Sequence, residues 1–145
     1  MKYLLILLFG SSLLFSQERD IKGYVFYEDE FIPIPEVMIL NSNDKLIAET
    51  DINGCFTFKL DDFNKTFFTA YLGLQSETVH ILETSDIVYI FLMNDQIIDF
   101  VSLKKAKRLI NRDRKKMLKK IYKKAISKGI ISKNSIYNKQ NIIID

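Results

Sequence analysis

Between residues 21 and 93 the chain never sustains a helical period. Seven short apolar or alternating runs are cut apart by turn residues, which restricts this stretch to a β-rich fold. The runs occupy residues 21–27, 36–40, 45–50, 55–60, 66–72, 76–82 and 87–93. Asn41-Ser42-Asn43-Asp44 and Asp51-Ile52-Asn53-Gly54 separate them with residues that form side-chain-supported turns or tolerate positive φ. In the run 55–60, Phe56, Phe58 and Leu60 share one face and Cys55, Thr57 and Lys59 the other, as a half-buried strand requires. The run 87–93 is almost wholly apolar, the signature of a strand covered on both faces. Seven such runs predict a mainly β chain, a seven-stranded antiparallel sandwich.

From Ser102 the composition shifts to helix formers. Apolar residues recur at Leu103, Ala106, Leu109 and Ile110, and again at Met117, Leu118, Ile121, Tyr122, Ala125 and Ile126. That spacing is an amphipathic helix, with Arg114 and its neighbours interrupting the stripe. Two forms fit: one helix with a charged interruption, or two helices meeting near Asn111 and Asp113, either of which suits an N-cap. Gly129 is the expected C-terminal stop. Charge divides at the same boundary. Residues 17–100 hold five Lys/Arg against sixteen Asp/Glu, and residues 101–145 hold fifteen against two. Two halves of opposite sign either attract each other or serve different partners.

The N-terminus starts with Lys2, runs apolar from residue 3 to residue 9, and reaches small residues at Gly10-Ser11-Ser12. This is the layout of a secretory signal peptide, with cleavage expected after Ser16, and the run is shorter than the roughly 20 residues a spanning helix needs. The expected organisation is therefore residues 1–16 as signal peptide, 17–96 as sandwich, 97–129 as basic helical segment and 130–145 as irregular tail. Cys55 is the single cysteine, so no internal disulfide is available, and it reads as a small buried apolar residue.

Four elements in order resemble the carboxypeptidase regulatory-like domain, a transthyretin-like β-sandwich frequent in exported proteins of Bacteroidetes-type bacteria. They are Ile21-Lys22-Gly23-Tyr24-Val25, Ile34-Pro35-Glu36-Val37-Met38-Ile39, Thr50-Asp51-Ile52-Asn53-Gly54-Cys55-Phe56 and Ala70-Tyr71-Leu72-Gly73-Leu74. Glu36 and Leu74 depart from the family, which more often has glycine and tyrosine there. The resemblance implies structural roles for Pro35, Asp51, Asn53, Gly54, Phe56 and Gly73. It covers the accessory sandwich alone and carries no peptidase site.

The residue types of an active site are also sparse. A zinc site needs about three protein ligands, and His80 is the one histidine, set among alternating strand residues. No nucleophile motif surrounds Ser76, Ser85 or Cys55. An EF-hand register started at Glu49 fails, because its twelfth position is Leu60 where a bidentate Glu belongs. Neither catalytic residues, nor a cofactor, nor a metal site is expected.

The expected function is a non-enzymatic, exported structural or interaction module of the cell envelope, periplasmic or outer-membrane-associated; in one form of this reading it is the N-terminal part of a longer protein. The alternative is a ligand- or glycan-binding sandwich, for which Phe31 and Phe63 are the loop aromatics. For the basic helix the readings are docking on the sandwich, attachment to an anionic membrane surface, and packing against an envelope protein or downstream domain. Nucleic acid is disfavoured by the export signal. Lys119, Lys120, Lys123 and Lys124 are the candidate docking charges, with Ile121 as the apolar contact.

Overall fold

A computed structural model describes residues 19–82, 86–96 and 101–132 of the chain. The signal-peptide reading of residues 1–16, and most of the tail expected at 130–145, lie outside these residues.

Eight strands precede one helix: β1 (Arg19–Tyr27), β2 (Ile32–Pro33), β3 (Met38–Asn41), β4 (Leu46–Glu49), β5 (Cys55–Leu60), β6 (Thr66–Ala70), β7 (Thr78–His80), β8 (Ile87–Leu92) and α1 (Leu103–Ser127). They form two four-stranded sheets. In the first, β1 is the hub. It pairs antiparallel with β2 and with β5, from Arg19↔Leu60 to Tyr24↔Cys55. It also pairs with β8, from Lys22↔Ile87 to Tyr27↔Leu92. The second sheet has the order β4-β3-β6-β7, antiparallel throughout.

Alternation along the strands gives both sheets a common apolar core. Ile21 and Val25 of β1, Phe56 and Phe58 of β5, and Val88, Ile90 and Leu92 of β8 meet Ile39 of β3, Phe67 of β6 and Val79 of β7. At its centre the Phe56 and Phe58 rings are stacked 6.1 Å apart, and Phe67 meets both edge-on at 5.9 and 5.5 Å. Gly23 makes this possible. A Cβ there would fall 2.0 Å from the Phe56 ring, so the strand position opposite Phe56 admits no side chain.

The outer face of the first sheet carries a second apolar cluster, and α1 closes it. Phe91 and Met93 pack with Leu118, Ile121, Ala125 and Ile131, flanked by Phe26, Phe31, Tyr89, Tyr122 and Ile130. β8 is thus apolar on both sides for two reasons: its even-numbered residues face the common core, and Tyr89 and Phe91 face the helix. The helix ends in a Schellman arrangement. Gly129 has φ 71°, its N–H donates to the Ile126 carbonyl, and the Ile130 N–H donates to the Ala125 carbonyl.

Three expectations change, and the choice left open between one helix and two is closed. An eighth strand, β2, adds to the seven; it is two residues long and so has no period to read. The sheets are not wholly antiparallel, because β8 runs parallel to β1. The helix is single: Asn111 and Asp113 lie inside it rather than capping a second one. Arg114 does not interrupt the buried stripe but belongs to it, with Ala106, Leu118, Ile121 and Ala125.

Candidate functional site

The residues singled out for the turns are architectural. The Asp51 carboxylate accepts from the backbone N–H groups of Asn53 and Cys55 at 2.9 and 2.8 Å, closing the β4–β5 turn. Gly54 follows at φ 68°, and a Cβ there would meet the Val25 carbonyl oxygen at 2.5 Å. Asp61 likewise accepts from the N–H groups of Phe63 and Asn64. These carboxylates are thus already engaged with backbone, and no cluster of three His, Cys, Asp or Glu side chains suited to a metal occurs among the described residues. His80 sits on β7, where its Nδ1 lies 2.6 Å from the Thr66 hydroxyl. Cys55 is only half-buried, on the strand face opposite Phe56, which corrects its reading as a core residue.

Pro35 is exposed in the β2–β3 connection, and Gly73 lies at φ 79° in the turn after β6. These two turns border one open groove of about 460 Å³. Its walls are Tyr27, the segment from Ile32 to Pro35, the segment from Tyr71 to Leu74, and Asn94. Asn94 donates from its side-chain amide to the Tyr27 hydroxyl at 2.7 Å, fixing one wall. The aromatic groups here are Tyr27 and Tyr71, which strand patterning had absorbed into β runs. Phe31 instead packs in the helix-covered cluster, under the ammonium groups of Lys128 and Lys124 at 5.2 and 5.9 Å from its ring. Phe63 is exposed and is not among the groove residues.

The helix separates the docking candidates. Ile121 is buried against the first sheet. Lys124 reaches back to Asp29 at 2.7 Å and holds that carboxyl below its usual range. Lys119, Lys120 and Lys123 are exposed. With Lys105, Arg108, Arg112 and Lys116, Lys119 and Lys123 form a row at spacings of three and four residues, the separation that keeps side chains on one helix face. This face is opposite the buried one, and its residues are exposed along its whole length.

At the other side of α1, Arg114 forms a buried ion pair with Glu77, and its Nη2 also donates to the Ser76 carbonyl at 3.3 Å. Sequence patterning missed Glu77, since it lies in an alternating run that reads as an ordinary strand. Burial pushes its carboxyl up to about 7, against the opposing pull of Arg114. Nearby Tyr122 donates to the Tyr89 carbonyl at 3.3 Å, and burial raises its hydroxyl above the ordinary tyrosine value.

Comparison with protein-family models gives no match, and neither does comparison with curated proteins.

Proposed function

We propose that this chain is an exported, non-enzymatic interaction module of the cell envelope, built as a transthyretin-like β-sandwich that carries a fixed helix. The observation that carries the reading is the division of labour on α1. Its apolar stripe is taken up by Phe91 and Met93 of the β body, so its exposed cations, Arg114 and Lys124 apart, are held outward on a rigid support rather than on a loose tail. The turn carboxylates and His80 being engaged in local hydrogen bonds supports a non-enzymatic role. The charged start, apolar run and small residues of the N-terminus support export. Mass spectrometry of fractionated cells should recover a mature chain beginning near Gln17 in the envelope or periplasmic fraction; an intact Met1 in the cytoplasm overturns the export reading.

The groove favours a second reading, a ligand- or glycan-binding sandwich, because it combines aromatic faces with the Tyr27 and Asn94 polar groups. Oligosaccharide binding that Tyr71→Ala abolishes, without a change in thermal stability, would establish it; no binding to a glycan panel would remove it.

A further inference from the structure

We propose that the outward cationic face of α1 is a docking surface for an anionic lipid bilayer. The inference deepens the interaction-module reading and rests on it for the compartment. α1 contains twelve Lys or Arg and one acid, Asp113, which accepts from Arg112 Nε at 3.3 Å. Arg114 is withdrawn to Glu77 and Lys124 to Asp29. Among the other cations, Lys105, Arg108, Arg112, Lys116, Lys119 and Lys123 form the outward row, which runs about 27 Å at the standard helical rise.

This row works against the helix. Like charges three or four residues apart destabilise a helix by a few tenths of a kcal/mol per pair. Such pairs recur here as Arg108 with Arg112, Arg112 with Lys116, and Lys119 with Lys123. Among the described residues every acid other than Asp113 lies on the β body, so Asp113 alone offsets the row from within the helix. A negative partner surface offsets the repulsion from outside.

The form of the row points to a plane of phosphate headgroups. A straight line of cations fixed along a rigid layer meets a flat surface simultaneously along its length, and each basic residue near an anionic leaflet adds attraction. The β body is acidic, with sixteen acids against five bases over residues 17–100, so an anionic plane orients the molecule helix-side down. An exported protein meets lipid headgroups before it meets nucleic acid.

The test is sedimentation with vesicles of neutral phosphatidylcholine alone or mixed with phosphatidylglycerol, at about 0.1 M and 1 M salt. Both the full chain and the chain from Gln17 are used, so that the apolar N-terminal run cannot account for binding. Binding should require the anionic lipid and collapse at high salt, where the screening length drops from about 10 to about 3 Å. Changing Lys116, Lys119 and Lys123 to Gln should weaken it at least about tenfold. Changing Lys45, Lys59 and Lys65 on the β body to Gln, the same loss of charge, should weaken it far less. Equal loss in the two variants, or no binding to anionic vesicles, overturns the proposal. Tighter binding to duplex DNA than to anionic vesicles at the same salt overturns it in favour of nucleic acid. These outcomes are independent of the mature N-terminus, which tests the export reading separately.

Discussion

Burying a carboxylate is costly unless it is paired and hydrogen-bonded, and Glu77 is fully buried with Oε1 lacking a hydrogen-bond partner. Desolvation therefore favours its neutral form, and the groups facing it are Arg114 and Tyr122 of α1. Because the folded value of about 7 lies above the ordinary 4.5, the folded chain retains a proton that the unfolded chain loses first. Stability from this group is complete below pH 4.5 and is lost as pH rises through 7. The change is on the order of 3 kcal/mol. Urea midpoints at about pH 5 and about pH 8, spanning most of that loss, should show the native chain weaker at the higher pH, and Glu77→Gln should remove most of the difference. An unchanged pH slope in the Gln variant would show that the proton resides elsewhere. A smaller strain sits at Glu36, whose φ of 59° is left-handed and costs a residue with a side chain about 1 kcal/mol.

At the scale of elements, α1 and β8 depend on each other. The outward residues of β8, Tyr89 and Phe91, would face water without the helix, and Phe91 meets Tyr122 edge-on at 5.1 Å. Ile121 sits in the same contact, 2% exposed. Ile121→Asp places a charge there with no partner, and it should lower unfolding stability by at least about 3 kcal/mol. Lys123→Gln, on the opposite face, should change it by less than about 0.5 kcal/mol. Thermal or urea denaturation of the two variants distinguishes a docked helix from an appended one, since equal small effects would mean that the contact carries little of the fold. The turn elements were readable from sequence because their bonds are local: Asp51 serves N–H groups two and four residues ahead. β2 was not readable, because a two-residue strand with an exposed Ile32 and Pro33 is defined only by its pairing to Phe26 and Tyr27.

For the whole molecule, the sequence by itself determined what short-range chemistry can express. Period-two alternation placed Phe56 and Phe58 on one buried face, the 3.6 period marked a helix after Ser102, and Gly129 set its end. It also showed that an acidic body is followed by a basic helix. Tertiary structure alone decided how these pieces meet, because each decisive contact joins residues far apart along the chain. The parallel seating of β8 beside β1 is set by pairing Lys22 with Ile87, a separation that no local pattern encodes. Arg114 looks like a break in an apolar stripe until Glu77, far earlier in the chain, is brought beneath it. The same packing covered the apolar side of α1 and drew Arg114 and Lys124 into ion pairs, leaving one face of the helix as a row of outward cations. Local periodicity records which residues avoid water, whereas the partner that shields each one is chosen by the geometry of the folded chain.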